Sequence, residues 1–352
     1  MTSPVFIVGT GRCGSTMISE MLNKHPDVLS ISELFSVITD LATLNPQAFP
    51  EGMIDASQFW SILSDPRHKG NLLIQYGLAS NDPILADIIT RPRFRAGIPP
   101  IMTTLRRITR SDLEPLFDEM HVFVASQPSA PVQQHYLRLF AWMVQKFERK
   151  KWVERSVRLQ LVPYLRQTFP DARFIHIVRD GRDTAISLSK HPGFRLLQVV
   201  FQFVEKLGID PFESQDRSRI EELSDELRLL LPESFNASVF RNYHLPLSYY
   251  GYYWSQEIIK GLQILGKMPP QQVLTTRYED ILKEPEASVR KLITFIDPDL
   301  VDEDWISDIV PTVKSGRSSW KALPPEEQEQ LNEACLSGFA ALEAFQVSWE
   351  KL

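Results

Sequence analysis

The sequence predicts an α/β fold built on a parallel β-sheet with helices on both faces. Residues 5–8 form a short apolar run that ends in glycines, which is typical of a buried strand entering a tight turn. Residues 173–178, RFIHIV, have the same character and are also followed by a glycine turn. Because such strands alternate with helical patterns along the chain, parallel pairing through crossover helices is expected.

The remaining elements follow from the spacing of apolar residues. Residues 15–23 show helical spacing, and Pro26 lies just beyond that helix. The stretches 45–130 and 194–250 are expected to be helical insertions within a single domain spanning residues 1–352. Further strands are predicted at residues 28–31, 151–155 and 272–276. Further helices are predicted at residues 159–168, 184–189, 217–231, 249–265, 286–296 and 324–345.

Length and composition limit the class of protein. A chain of 352 residues with 43% hydrophobic residues can bury a large core. Its net charge of −6 disfavours nucleic acid as a partner, so any anionic ligand must be held by local positive charge. The two cysteines, Cys13 and Cys335, indicate neither a disulfide framework nor a zinc site, and no metal is expected. We find no signal-peptide or transmembrane pattern and expect a soluble, cytoplasmic protein without a membrane partner.

The glycine-rich segment 9–16, GTGRCGST, follows the first strand and opens the first helix. A helix N-terminus presents N–H groups and the positive end of its dipole to an anion, and glycine allows close approach. Taken alone, the segment leaves three interpretations in competition. It matches the dinucleotide pattern G-x-G-x-x-G, with Glu33 near the position of a ribose-binding acid. It is also P-loop-like without the P-loop lysine, and it lacks the arginine that a cysteine phosphatase needs after Cys13.

A second predicted anion site distinguishes these alternatives. Arg179 follows the strand at residues 173–178, a glycine turn comes next, and the following helix carries Ser187. An arginine at a strand end can bind a phosphate through two hydrogen bonds, and a serine on the next helix can return to the same group. A nicotinamide fold does not need this element, whereas a donor with phosphates at both its 5′ and 3′ ends does.

In these two segments the chain resembles the sulfotransferases that use 3′-phosphoadenosine 5′-phosphosulfate (PAPS). The family's 5′-phosphosulfate loop is matched by Arg12-Cys13-Gly14-Ser15-Thr16, with cysteine where serine is usual, and its 3′-phosphate element by Arg179 and Ser187. The stretch 21–33, MLNKHPDVLSISE, resembles the tyrosylprotein, carbohydrate and bacterial branch. In that branch an acidic residue at the position of Glu33 is the catalytic base.

Three later segments extend the resemblance in the same order along the chain. Arg155 stands in place of the family's catalytic lysine, and Tyr278 lies where the family commonly has a tyrosine beside the nucleotide. The family's sheet is P-loop-like, and the insertions 45–130 and 194–250 are then expected to form a lid over the acceptor. The segment 315–321 resembles the loop that closes over the donor, which implies donor contacts from Arg317, Ser318, Trp320 and Lys321.

The resemblance implies a role for each residue in the chemistry. Arg12 and the N–H groups of residues 14–16 would hold the 5′-phosphosulfate, and Arg155 would stabilise the bridging oxygen as the sulfuryl group leaves. Glu33 would accept the proton of the acceptor hydroxyl. Catalysis would then depend on positioning and electrostatics, as in phosphoryl transfer.

Structural roles stay open for the same residues. Glu33 alternatively caps the next helix, and Arg155 alternatively serves as an ion-pair partner. Ser187, Tyr278 and Trp320 are alternatively ordinary helix or core residues. Other proton acceptors are His25, His191 and His244. An aromatic run either lines an acceptor pocket or packs in the core: Tyr249, Tyr250, Tyr252, Tyr253 and Trp254.

The leading hypothesis is a PAPS-dependent sulfotransferase acting on a small-molecule hydroxyl, such as that of a natural product. An NAD-dependent oxidoreductase remains open because the first loop and Glu33 fit it. A non-catalytic nucleotide-binding protein also remains open, because Arg155 replaces a lysine. The acidic net charge favours a neutral or cationic acceptor over a polyanion. The arginines between residues 91 and 110 form either a solvated face or a lid over an anionic ligand.

Overall fold

A computed structural model describes residues 3–78, 87–95, 97–313 and 319–350, apart from the side chains of His68 and of residues 346–350. The strands are β1 Val5–Gly9, β2 Val28–Ser32, β3 Met53–Ile54, β4 Ala130–Pro131, β5 Lys151–Arg155, β6 Arg173–Val178 and β7 Val273–Arg277. Five of them form a parallel sheet in the order β2-β5-β1-β6-β7. β3 and β4 form a separate antiparallel pair.

Helices connect and flank these strands. The first half of the chain contains α1 Ser15–Asn23, α2 Leu34–Ile38, α3 Asn45–Ala48, α4 Ala56–Ser64, α5 His68–Gln75, α6 Pro100–Ile108, α7 Leu113–Ala125, α8 Val132–Lys146 and α9 Val162–Thr168. The second half contains α10 Gly181–Ser189, α11 Pro192–Leu207, α12 Asp225–Arg228, α13 Ala237–Asn242, α14 Leu247–Leu265, α15 Tyr278–Lys283, α16 Pro285–Ile296, α17 Glu303–Ile309 and α18 Pro325–Glu350.

The sheet is buried on both faces at its centre. Val5, Phe6, Ile7 and Val8 of β1 are fully buried, as expected for a parallel strand covered by helices. Because side chains alternate along a strand, Phe6 and Val8 face one apolar cluster and Val5 and Ile7 face another. The first cluster includes residues of α14, and the second, which we call the α16 cluster, includes residues of α1 and α16.

The register of the sheet brings the ends of its strands together. Gly9 of β1 lies opposite Ile177 of β6, and Ser32 of β2 lies opposite Arg155 of β5. In a parallel sheet all carboxyl ends lie at one edge, which is where ligands bind in open α/β folds. The loop after β1, the ends of β2 and β5 and the turn after β6 therefore meet at this edge.

The predicted α/β fold with a parallel sheet and flanking helices is confirmed. Each strand predicted from the sequence is present within one residue of its expected bounds, whereas the short pair β3 and β4 was not predicted. The helix predicted over residues 217–231 is wrong, because this segment holds only a 3₁₀ turn, Ile220–Glu222, and the single turn α12. The Arg217 guanidinium donates to three backbone carbonyls of residues 211–216, and Ser224 caps a new helical start.

Glu154 of β5 is a fully buried carboxyl group. Ser156 Oγ lies 3.0 and 2.8 Å from its two oxygens, and the Phe35 N–H donates to Oε1 at 3.4 Å. Burial raises the pKa of Glu154 to about 8 and outweighs the opposing effects of these hydrogen bonds and of Arg155. The group is therefore mostly neutral in the folded protein near neutral pH, whereas the unfolded chain ionises it near pH 4.5.

Replacing Glu154 with glutamine is expected to change how stability depends on pH. Between pH 4.5 and about 8, unfolding releases the Glu154 proton, so the free energy of unfolding falls as the pH rises through this window. The Glu154→Gln variant lacks this titration, and its melting temperature should decline less than that of the wild type between about pH 5 and about pH 8. Thermal melts at both pH values measure the difference, and equal declines would contradict a neutral Glu154.

Candidate functional site

The loop after β1 has the conformation of an anion-binding turn. Gly11, Arg12 and Gly14 have φ angles of 76°, 55° and 92°, all in the left-handed region. α1 begins directly afterwards, with Gly14 as an N-cap residue that forms no side-chain cap hydrogen bond. The first turn of α1 therefore presents N–H groups and the positive end of its dipole to a ligand.

Two aromatic rings pack against the glycines of this loop. A Cβ atom added to Gly11 would lie 2.3 Å from Cζ of Phe194, and one added to Gly14 would lie 2.2 Å from Cδ2 of Tyr278. Both positions are thus restricted to glycine by close approach as well as by φ. The rings belong to α11 and α15, so elements distant in sequence fix the shape of the loop.

The side chains of the loop divide between the core and the solvent. Cys13 is fully buried in the α16 cluster, so its backbone is the part that faces a ligand. Ser15 is also buried, and its hydroxyl accepts a hydrogen bond from Arg155 at 3.1 Å. Arg12 and Thr16 are exposed.

Glu33 is held by two arginines at the same edge of the sheet. Its Oε1 lies 2.6 Å from a terminal nitrogen of Arg155, and its Oε2 lies 2.9 Å from a terminal nitrogen of Arg107. Arg155 also donates to Ser32 Oγ at 3.0 and 2.9 Å, and its carbonyl accepts from the Glu33 N–H at 2.7 Å. Glu33 is the N-cap residue of α2, but its side chain forms no cap hydrogen bond, which excludes the capping role. Arg155 is the ion-pair partner that the alternative interpretation expected.

The two arginines keep Glu33 ionised. Burial acts to raise the pKa of this carboxyl group, but the charges of Arg155 and Arg107 and the hydrogen bond from Arg155, with a smaller effect of His191, lower the pKa to about 2. The backbone of Glu33 has a φ of 65°, which is uncommon for a residue other than glycine. The carboxylate is therefore charged and fixed in place across the neutral pH range.

The residues predicted to bind the 3′-phosphate converge on Arg12. Arg12 Nε donates to Ser187 Oγ at 3.0 Å, and a terminal nitrogen of Arg179 donates to the Arg12 carbonyl at 3.3 Å. The Arg179 guanidinium lies over the ring of Tyr278, 5.0 Å from its centroid. The segments that follow β1, β6 and β7, including α10 and the start of α15, thus bring four predicted site residues into one group.

The segment after residue 318 docks on the first turn of α10. The N–H groups of Ser319 and Trp320 donate to Asp183 Oδ1 at 2.7 and 3.1 Å, and the Arg182 guanidinium lies 3.7 Å from the centroid of the Trp320 ring. The Lys321 amine lies 5.9 Å from the same ring. These contacts give Trp320 a packing role beside the site. Arg317 and Ser318 lie outside the described residues, and their donor contacts stay predictions.

A cavity of about 690 Å³ opens beside these residues. Arg12, Thr16, Glu33, Arg155 and Ser187 form one part of its wall. Residues from the segments 67–78 and 98–107 also face it, from within the stretch where an insertion was predicted. Much of the remaining wall is apolar: Val37, Leu41, Leu73, Ile74, Leu78, Ile98, Pro100, Val157 and Phe194.

Of the three histidines considered as bases, His191 lines this cavity and acts electrostatically on Glu33. His25 is buried elsewhere, within 2.9 Å of the Leu300 carbonyl and edge-on to Trp305. His244 does not line the cavity. His191 is therefore the histidine that stays a candidate.

The aromatic run on α14 does not form an acceptor pocket. Tyr250, Tyr253 and Trp254 are buried in the core, whereas Tyr249 and Tyr252 are exposed. None of the five lines the cavity. The pocket interpretation of this run is wrong, and the packing interpretation is correct for its three buried members.

The sequence does not single out Arg67 or Phe194 as site residues, and it offers Arg107 only as one member of the arginine-rich stretch. Phe194 and Arg67 reach the cavity through long-range packing, for which no local pattern gives a signal. Arg107 belongs to the arginine-rich stretch, where only a structure separates it from its neighbours. Three of these neighbours instead pair with nearby acids: Arg91 with Asp112, Arg93 with Asp118, and Arg106 with Asp87.

The described part of the chain lacks two features. Within those residues, no group of three or more His, Cys, Asp or Glu side chains is arranged to hold a metal ion. No helix there combines the length and apolarity needed to span a bilayer.

Comparison with known proteins gives a family. A family model described as the sulfotransferase family matches residues 4–68 and 91–236, more than half of the chain. A search among curated proteins found no significant match.

Several solved structures are distantly similar. A sulfotransferase from Alicyclobacillus acidocaldarius is 18% identical, with 98% of this chain and 95% of that chain covered and a TM-score of 0.41. A sulfotransferase from Mycobacterium avium is 15% identical, with coverages of 94% and 74% and a TM-score of 0.41. A retinol dehydratase, solved with androsterone and the inactive cofactor PAP, is 12% identical, with coverages of 95% and 80% and a TM-score of 0.34. The family assignment rests on the sequence match.

Substitution of Gly14 with alanine is expected to destabilise the protein by more than the cost of placing alanine at a left-handed φ. The additional loss arises because the added methyl group would overlap the Tyr278 ring. Gly52 is a matched control, with a φ of 78° and nothing within 4 Å of an added Cβ. We expect the free energy of unfolding to fall by about 1 kcal/mol in Gly52→Ala and by about 2–4 kcal/mol in Gly14→Ala. Chemical denaturation measures both losses. Equal losses would show that Tyr278 does not press on the loop.

Proposed function

The chain belongs to the sulfotransferase family, and we propose that it transfers a sulfuryl group from PAPS to a hydroxyl group of a small-molecule acceptor. The observation that carries this proposal is the convergence of two anion-binding elements at one edge of the sheet. These are the loop after β1 and the turn after β6, joined through Arg12, Arg179 and Ser187. A nicotinamide dinucleotide leaves the second element unexplained, which disfavours the oxidoreductase alternative.

The donor roles follow from the positions of these groups. Arg12 and the N–H groups of residues 14–16 hold the 5′-phosphosulfate, and Arg179 with Ser187 holds the 3′-phosphate. Tyr278, which packs against Gly14 and beneath Arg179, supports a nucleotide between the two anion sites. When bound, PAPS supplies the sulfuryl group.

Arg155 takes the role of the family's lysine in this proposal. Its guanidinium is bonded to Ser15 at the start of α1 and to Glu33, so its charge lies beside both the loop and the carboxylate. Fixed positive charge at this place stabilises the negative charge that develops on the bridging oxygen. Because the guanidinium is held by buried partners, it needs little reorganisation during the reaction.

Glu33 receives the proton of the acceptor hydroxyl. Its low pKa suits a late proton transfer, since the hydroxyl becomes strongly acidic only as its oxygen bonds to sulfur. Arg155 and Arg107 each bind one carboxylate oxygen, and each oxygen keeps a further lone pair for the acceptor. A carboxylate that is always ionised near neutral pH is therefore sufficient as a base.

The cavity beside Glu33 supports a small-molecule acceptor. Its wall is largely apolar and comes in part from residues 67–78 and 98–107, so we assign the stretch 45–130 to the acceptor lid, together with the start of 194–250. A natural product is the acceptor class we propose, and the cytoplasm is the proposed compartment.

Binding of 3′,5′-adenosine bisphosphate tests the donor site directly. At about a hundred times its dissociation constant the ligand should stabilise the protein by about 2.7 kcal/mol. Arg179→Gln should weaken its binding about 10- to 100-fold through loss of a charge-assisted contact. Arg173→Gln is the control, because Arg173 lies at the opposite end of β6 and packs over Phe295. Calorimetric titration measures both affinities; absence of binding would overturn the assignment of the donor.

Replacing Glu33 with glutamine should lower kcat about 10²- to 10⁴-fold, since the amide cannot accept the acceptor proton. The affinity for the bisphosphate should be equal or higher, because a negative charge is removed beside Arg155 and Arg107. Transfer of labelled sulfate from PAPS to a panel of hydroxyl compounds measures kcat. A wild type that binds donor but transfers to no acceptor would favour the non-catalytic alternative.

The pH dependence separates Glu33 from His191 as the base. With a pKa of about 2, Glu33 stays ionised between about pH 8 and about pH 5. Protonation of Glu33 should therefore not lower kcat/KM in this range. A histidine base would lose activity below about pH 6.5 as its ring is protonated. His191→Gln serves as the matched variant. If kcat/KM of the wild type falls at acidic pH, if this fall is absent in His191→Gln, and if Glu33→Gln stays active, then His191 is the base and Glu33 is not.

A further inference from the structure

The cavity wall contains a cation that the proposed transfer does not use. Arg67 precedes α5 as its N-cap residue and faces the cavity. One terminal nitrogen of Arg67 donates to the Ile62 carbonyl at 2.7 Å, and its Nε is buried without a hydrogen-bond partner. Within the described residues, Arg67 has no carboxylate within ion-pair distance.

The carboxylates nearest to Arg67 are already engaged. Asp40 and Glu213 act on it electrostatically, but both contact the buried amine of Lys69, at 3.5 and 3.3 Å. Asp65 has the largest electrostatic effect of any carboxylate on Arg67, and it accepts a hydrogen bond from Ser61. A guanidinium is protonated at any physiological pH, and a half-buried one without a counter-ion favours an anionic partner.

The face of α5 that carries Arg67 continues as an open apolar surface. Arg67, Gly70 and Ile74 follow one another at three- and four-residue spacing and line the cavity, and Leu78, just beyond the end of α5, lines it as well. A Cβ atom added to Gly70 would meet nothing within 4 Å, so the surface is open at that point. From Arg67 to Ile74 the helix rises by roughly 10 Å, which is enough for an extended aliphatic segment.

Arg67 is separate from the reacting end of the cavity. Glu33 interacts most strongly with Arg155 and Arg107, and also with His191 and Arg12. The carboxylates with the largest effect on Arg67 are different ones: Asp65, Asp40 and Glu213. The same wall carries five permanent cations and one carboxylate, Glu33. This balance is opposite to that of the whole chain, on which the expectation of a neutral or cationic acceptor rests, and it favours an anionic group in this cavity. The cations are Arg12, Arg67, Arg107, Arg155 and Lys190.

We propose that the acceptor is an amphiphile whose hydroxyl binds at Glu33, whose aliphatic body lies along α5, and whose carboxylate or phosphate binds at Arg67. This inference rests on the proposed function and names its substrate class. Arg67 then determines specificity without touching the reacting atoms.

Calorimetry with the bisphosphate-saturated protein tests the proposal. The probes are ω-hydroxy fatty acids of graded length, their methyl esters, and the monophosphates of the corresponding diols. At the best length, the wild type should bind an anionic probe about 10- to 100-fold more tightly than the ester, as for a charge-assisted contact. Tighter binding of the hydroxy acid identifies a carboxylate as the acceptor group that binds at Arg67. Tighter binding of the monophosphate identifies a phosphate as that group. Arg67→Met should abolish the preference and leave ester binding within about threefold.

Two further variants keep the test independent of folding defects. Arg110→Met removes an exposed arginine that does not line the cavity, and it should keep the full preference. Gly70→Leu fills the open surface without changing a charge, so it should weaken acid and ester about equally, by about tenfold. Affinity for the bisphosphate should be unchanged in all three variants.

Three results would overturn the proposal: equal binding of anion and ester by the wild type, a preference that survives Arg67→Met, or no binding of any probe. Failure of the proposed function gives a different result, namely no binding of the bisphosphate or no sulfate transfer from PAPS. In that case the probe affinities are measured without the bisphosphate. Comparison of the wild type with Arg67→Met still shows whether the preference for an anionic probe depends on Arg67.

Discussion

The geometry of the site depends on the ion pair between Glu33 and Arg155. Arg155 is buried, and its donors are directed at Ser15, Ser32 and Glu33. One guanidinium thus joins the start of α1 to the ends of two neighbouring strands. Removing either partner of a buried pair leaves an uncompensated charge, which typically costs about 3–5 kcal/mol. The relative positions of the loop and the carboxylate are therefore fixed by one guanidinium that contacts both.

Unusual backbone conformations are concentrated around the same cavity. Left-handed φ angles occur at several residues other than glycine there: Arg12, Glu33, Asp40, Leu41 and Ala42. Each costs roughly 1–2 kcal/mol and persists only where surrounding contacts fix it. For the turn at 40–42 these contacts are visible. Arg158, paired with Glu257, donates to the Leu41 carbonyl at 2.6 Å, and Asp40 lies 3.5 Å from the Lys69 amine. Buried ion pairs thus hold a strained wall in place.

The sequence was sufficient for the sheet but not for the roles of individual side chains. Apolar runs and glycine turns predict strands directly, because a central parallel strand must be apolar on both faces. Within the loop, however, Arg12 faces the solvent and Cys13 the core because Arg12 adopts a left-handed φ, which no residue pattern specifies. Likewise Arg107 differs from Arg106 only in which carboxylate the fold brings near it. Such pairings depend on contacts between residues far apart in sequence, and local periodicity contains no information about them.

In the proposed reaction, electrostatic interactions connect donor binding to the strength of Glu33 as a base. The carboxyl group of Glu33 has a low pKa because Arg155 and Arg107 stabilise its charged form. Arg155 also contacts Ser15 in the loop proposed to bind the donor, so an anion held there would share the same guanidinium. A second negative charge near Arg155 weakens the stabilisation of the first, and like charges raise the pKa of a carboxyl group. Glu33 is accordingly a weaker base in the empty site than in one that holds an anion beside the loop. In the proposed reaction, the ion pair that fixes the geometry would therefore also make the strength of the proposed base depend on whether the donor is bound.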